Sequence, residues 1–275
     1  MTLRDHESFR RAVERPEDEV DLGRAALAIA EGEYPQLDIE ACVAKIDRLA
    51  SAVSDCSRGE TDPYRLMASL NYVLFNQEGF QGNRDEYYDP KNSFLNDVIE
   101  RKKGISITLA VLYMEVARRV GLTLHGVGFP GHFLVKYPED EVIIDPFHRG
   151  EVRSLEELEG FVGELYKGAV SFRPEFLDPI SKKQILKRML NNLKMIYLKQ
   201  GEPLKSLSVV ERLVILEPDS VQEIRDRGLI YLKLDWFSQA LEDLEDYLKL
   251  AHYAEDAEEI REQVASLKKR MTQLH

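Results

Sequence analysis

The segment ITLAVLYMEVARRVG, residues 107–121, is apolar on almost every face. Only Thr108, Glu115, Arg118 and Arg119 interrupt it with clearly polar groups. A helix without a polar face is stable only inside a larger body, so this one is predicted to be buried in a domain. Gly121 stands where a terminating glycine belongs. The texture then changes: LTLHGVGF, HFLVKY and EVIID read as strands, separated by Pro130-Gly131 and by the acidic turn PEDE. A buried helix running into closely spaced strands predicts an α+β core with a small antiparallel sheet.

The flanking regions are helical in pattern. Upstream, DIEACVAKIDRLASAVSD offers Asp38 as an N-cap with Ile39, Val43, Ile46, Leu49 and Val53 on one stripe. PYRLMASLNYVLFNQEGF is a further helix ending near Gly79. After the polar, aromatic loop GFQGNRDEYYDP, another helix is expected to start at Ser93 and close at Arg101, Lys102, Lys103 and Gly104. Downstream of Ser181, Tyr197 and Tyr231 lie 34 residues apart, and the same offset relates Ser206 to Ala240 and Val210 to Leu244. That is the tetratricopeptide period, with small residues where paired helices cross. The second copy also has Gly228 in place, where the first has Lys194. EDAEEIREQVASLKKRM would cap the stack. The competing reading is an ordinary helical bundle. The expected division is 1–180 for the helical N-terminal part with the α+β core, and 181–275 for the repeats.

The 275 residues suffice for one large domain or two modest ones. A net charge of −12 argues against nucleic-acid binding, which needs a basic face. No signal peptide and no membrane span are visible. Cys42 and Cys56 fall in one helix without metal-binding spacing. These features predict a reduced, cytoplasmic protein that binds neither nucleic acid nor membrane. Stacked helix pairs form concave surfaces, so the expected partner is a protein or peptide held by the C-terminal repeats. Self-association through the repeats is the other use open to them, and the oligomeric state is left undetermined.

The chemistry centres on FPGHFLVKYPEDEVIIDPFH. His132 is read onto the strand face of Phe133, Val135 and Tyr137, where it is either a packed core histidine or a base. Asp145 either caps the turn at Pro146 or orients an imidazole, as triad chemistry requires. Adjacent strands would bring the two together. Asp145 and His148 alone lack a third ligand at recognisable spacing, so no metal and no cofactor are expected. Asn92, Ser93, Asn96 and Arg101 are read as a hydrogen-bonded loop supporting the core, with cleft lining as the alternative.

The order Gly-x-Ser at the start of a buried helix, then GHF, then IDP, resembles the transglutaminase-like superfamily. GFQGN, YYDPKNSFLNDVIERKKGISIT and GVGFPGHFLVKY, ahead of a tetratricopeptide-like tail, more narrowly resemble its SirB-type bacterial members. The resemblance implies a papain-like core and a cysteine–histidine–aspartate triad. Its positions fall on Ser106, fifteen residues before Gly121, and on His132 and Asp145. Ser106 departs from the pattern. A thiol gains acidity at a helix N-terminus, whereas serine needs a general base and an oxyanion hole. Ser106 is therefore read as the N-cap of the buried helix, with the nucleophile as the alternative. The expected function is a catalytically altered or inactive module coupled to a binding repeat, in a regulatory or scaffolding role. The alternative is an active hydrolase or acyl-transferase using Ser106, His132 and Asp145.

Overall fold

The structure, a computed structural model, describes residues 6–273. The chain forms two compact units. One is Arg15–Met189. The other joins the described residues before Arg15 to those from Leu190 onward.

A short helix α1 (Glu7–Val13) opens the chain and belongs to the second unit. The first unit starts with α2 (Leu22–Ile29), α3 (Ile39–Ser57) and α4 (Pro63–Asn71), the last continuing as a π-helical turn over Tyr72–Gln77. Aspartates cap all three: the Arg24, Ala41 and Arg65 amides donate to Asp21, Asp38 and Asp62. A two-residue strand β1 (Gln81–Gly82) follows, then α5 (Leu95–Arg101) and β2 (Lys103–Gly104), which pairs in parallel with β1. α5 therefore starts at Leu95 with Phe94 as N-cap, and its left-handed closing residue is Lys102. Gly104 instead serves close packing, since a Cβ there would lie 2.8 Å from Thr108 Oγ1.

Next comes α6 (Ser106–Arg119), in which every residue from Ser106 to Ala117 is buried. The all-round apolar pattern thus predicted its position correctly. Each Leu or Val it removes from water contributes roughly 1.5–3 kcal/mol relative to exposure. Its one acid, Glu115, is 4% exposed and is neutralised by Arg118 at 3.0 Å and Arg119 at 2.6 Å. Gly121 follows with φ +81°, as a terminating glycine should.

The sheet is antiparallel in the order β3 (His125–Val127), β4 (Leu134–Tyr137), β5 (Val142–Asp145), β6 (Glu151–Arg153). Three of these strands lie within the predicted segments. The fourth, β6, is an edge strand that the alternation did not suggest. α7 (Leu155–Leu165) covers the sheet, burying Leu158 and Val162 against Val127, Phe129, Leu134 and Ile143.

α8 (Lys182–Gln200), α9 (Pro203–Leu216), α10 (Val221–Lys233), α11 (Phe237–Leu250) and α12 (Ala257–Gln273) complete the chain. The 34-residue offset maps onto equivalent burial: Tyr197 and Tyr231 are 2% and 6% exposed, and Ser206 and Ala240 are both 0%. At Gly228 a Cβ would lie 2.9 Å from Leu244, so that helix crossing admits only glycine without repacking. α12 buries Ile260, Val264 and Leu267 against α11, as a capping helix does. None of the described helices is long and apolar enough to cross a membrane.

Candidate functional site

Asp145 ends β5 and is 2% exposed. Its Oδ1 accepts from His132 Nε2 at 2.9 Å and from the Phe147 and His148 amides at 3.1 and 3.3 Å. Its Oδ2 meets His148 Nδ1 at 2.7 Å and the Arg153 guanidinium at 3.1 Å. The two uses foreseen for this carboxylate therefore coexist: it caps the turn Pro146–His148 and it orients an imidazole. Burial opposes its ionisation, but the bonds and charge of His132 and His148 outweigh that and hold it well below the usual carboxylate range.

The fold brings His132 there by way of a turn. Gly131 adopts φ +67°, and the His132 amide donates to the Phe129 carbonyl at 3.2 Å. His132 thus sits in a bend before β4, not on the strand face of Phe133, Val135 and Tyr137 as expected. Period-two alternation places those three on the face opposite residues 132, 134 and 136. The neighbours of the imidazole are Phe147, edge-on at 5.7 Å, and Phe161 at 6.1 Å. The hairpin carrying Asp145 closes at Gly150, where φ is +75° and a Cβ would lie 2.0 Å from the Asn71 side chain.

His132, Asp145, His148, Arg153 and Glu157 line a cavity of about 130 Å³ with an apolar wall that includes Phe129, Leu158 and Phe161. The fold brings His132 beside Asp145 and His148, a third group of a type able to hold a metal ion. The ligating atoms of the three residues all lie within 4.8 Å of one another.

Ser106 is 4% exposed and is not among the residues that line this cavity. It is also not the N-cap: that position belongs to Ile105, and Ser106 is the first helical residue, with no capping bond from its side chain. Thr108 takes the role, accepting from the Ile105 amide at 3.2 Å while its hydroxyl donates to the Asn92 carbonyl at 2.7 Å. The reason is a one-residue shift of the helix start, caused by the tie between Thr108 and Asn92. The Tyr87 phenol is a polar neighbour of Ser106: burial pushes Tyr87 up, and the Ser106 hydroxyl pulls the other way.

Tyr87 is positioned by Asn92, which is fully buried. The Asn92 side-chain amide donates to the Glu86 and Tyr87 carbonyls at 2.7 and 3.3 Å, and its Oδ1 accepts from Asn83 at 3.0 Å. Asn92 thus acts as a support for the loop. Arg101 pairs with Asp89 at 2.9 Å, while Ser93 and Asn96 are buried. Both cysteines are on α3 and free, Cys42 buried and Cys56 exposed, and neither lines the cavity.

The residues missed from sequence are Tyr87, Arg153 and Arg188. Arg188 donates to the carbonyls of both Phe129 and His132. Arg153 ends a strand of only three residues, and Tyr87 lies in a loop without periodicity. Only the YYDP turn marked that region.

Comparison with known proteins agrees with this architecture. Residues 40–191 match the transglutaminase-like superfamily, and residues 193–265 match a tetratricopeptide repeat. A UPF0162 protein of Xylella fastidiosa (strain 9a5c) is 37% identical over 268 residues, 94% of each chain. A UPF0162 protein of Vibrio cholerae is 28% identical over 255 residues, covering 91% of this chain and 93% of that one. The human F-box only protein 21 is 28% identical over 183 residues, which are 62% of this chain and 28% of that protein. The resemblance carried by GHF, IDP and the repeat spacing is therefore borne out. The chain belongs to the transglutaminase-like superfamily, among the SirB-type UPF0162 proteins with C-terminal tetratricopeptide repeats.

Proposed function

We propose that this chain is a catalytically altered transglutaminase-like module whose repeats bind a protein or peptide, in a regulatory or scaffolding role in the cytoplasm. It engages neither nucleic acid nor membrane. The observation that carries the reading is the separate engagement of the triad-equivalent groups. His132 and Asp145 bond to each other and open onto the cavity, while Ser106 is buried, does not line that cavity and has the Tyr87 phenol as a polar neighbour. A serine whose hydroxyl is not hydrogen-bonded to a base is a poor nucleophile. The repeats supply stacked helix pairs of the kind that bind extended segments.

A second reading is an active hydrolase or acyl-transferase using Ser106, His132 and Asp145. It draws on the finding that Ser106 is not an N-cap and stands at the first turn of α6, where unpaired amides could stabilise an oxyanion. Treatment of the full chain with a fluorophosphonate probe separates the two. The altered-module reading expects no labelling at Ser106. Labelling that disappears in both Ser106→Ala and His132→Ala would establish the enzyme.

A further inference from the structure

We propose that His132, Asp145 and His148 bind one divalent transition-metal ion of the zinc class, with a fourth coordination position open to the cavity. The inference does not rest on any reading of Ser106 or of the repeats.

The donor set is two imidazoles and a carboxylate, the combination that suits zinc and its neighbours rather than magnesium or calcium. The donors come from two separate parts of the fold, the bend before β4 and the turn after β5. All three ligating atoms lie within 4.8 Å of one another. In a tetrahedral site with bonds of about 2.0–2.2 Å, ligand atoms stand about 3.4 Å apart. His132 Nε2 and His148 Nδ1 already point at the carboxylate, at 2.9 and 2.7 Å, so side-chain adjustments of an ångström or less bring them to a common ion. Their aromatic neighbours also fix the ring of His132, which limits the entropy lost on binding.

The charge around the site favours a dication despite Arg153. That guanidinium faces three carboxylates: Asp145 at 3.1 Å, Glu151 at 3.3 Å and Glu157 at 3.7 Å. With Arg188 on the His132 carbonyl, two positive groups stand against three negative ones, which still leaves a local excess of negative charge. Arg153 can stay on Oδ2 as an outer partner that orients the ligand, while the ion takes Oδ1. Alternatively it can move onto Glu151 and Glu157. The cavity of about 130 Å³ beyond the ligands has room for water at the open position. An ion held there occupies the His132 nitrogen that now bonds Asp145, so a loaded chain cannot use that imidazole as a base.

The test is titration of the full chain, stripped with a chelator and then freed of it, with Zn²⁺ against a chromophoric competitor. The expected result is one ion per chain at micromolar affinity or tighter, undisturbed by millimolar Mg²⁺. His148→Ala, at a half-exposed position, and His132→Gln should each weaken binding by at least about tenfold. His125→Gln, on the exposed start of β3, should leave it unchanged. Absence of binding at micromolar protein and ion, or affinity kept in His148→Ala and His132→Gln chains that circular dichroism shows to be folded, would overturn the proposal. Loss of binding in His125→Gln would overturn it as well.

Discussion

The Lys194 ammonium lies 2.7 Å from Glu223 Oε2 and 2.6 Å from Asp226 Oδ2, with its side chain 8% exposed. Lys194 holds the position that Gly228 takes one repeat later. The first repeat has therefore exchanged a close helix crossing for an ionic tie from α8 to α10. Lys194→Met leaves Glu223 without its cation in a poorly hydrated place, while Asp226 keeps Arg225 at 2.9 Å, and should cost roughly 3–5 kcal/mol. Adding Glu223→Gln should recover part of the loss. A double-mutant cycle by urea unfolding measures it, and additive losses would show that the pair is not coupled.

The start of α6 gives a contrast between two hydroxyls two residues apart, Ser106 and Thr108. Thr108→Val removes the bonds to Ile105 and Asn92 and should destabilise the chain by about 1–3 kcal/mol, because it leaves the Ile105 amide and the Asn92 carbonyl with only their long mutual bond of 3.4 Å. Ser106→Ala loses only the contact with Tyr87 and should cost under about 1 kcal/mol. Thermal unfolding of the two variants checks the order.

Accessibility at residue 106 can be read with a thiol. In a chain with the exposed Cys56 replaced by serine, Ser106→Cys should react slowly with a maleimide despite its helix N-terminal position, because the position is buried with Tyr87 as a neighbour. Tyr87→Ala should raise the rate by about tenfold or more, the size expected when reagent access rather than thiolate content is limiting. Equal rates in the two chains would mean that Tyr87 does not cover the position.

Asp145 makes a defined contribution to the pH dependence of stability. Its pKa is depressed in the fold, so the ionised carboxylate stabilises the protein above the ordinary carboxylate pKa of about 3.9, and that contribution is lost as pH falls below it. Asp145→Asn should be less stable than the parent by roughly 3 kcal/mol at neutral pH, with the gap narrowing on acidification. Urea midpoints measured with chelator present, from pH 7 to the lowest pH at which the parent folds, follow the difference. A constant gap would assign the loss to shape rather than charge.

What could be read from the sequence follows from how locally each feature is encoded. α6 was legible because an all-round apolar helix has one physical solution, burial. The repeats were legible because Tyr197 and Tyr231, or Ser206 and Ala240, meet the same demand at a fixed interval. β6 was not, because Val152 is 64% exposed and its neighbours Glu151 and Arg153 are charged, so no alternation exists to find. The pairing of His132 with Asp145 was foreseen from strand adjacency, yet the face assigned to His132 was wrong, because alternation sets residue 132 opposite 133, 135 and 137 and the turn at Gly131 takes it off the strand. The environment of Ser106 was out of reach: serine's preference for N-caps is a local rule, and it lost to contacts with Asn92 and Tyr87 that arrive from a separate loop.

Arg188 binds the carbonyl oxygens of Phe129 and His132, and so grips the bend by atoms that every amino acid possesses. Imidazole identity and backbone course are thereby uncoupled at residue 132. Lineages that replace the histidine would keep the loop, the neighbouring hairpin and the hollow beside them. Such a locus can drift chemically while its architecture stays fixed, which is the condition under which an ancestral reaction can be discarded and the body that housed it recruited for something else.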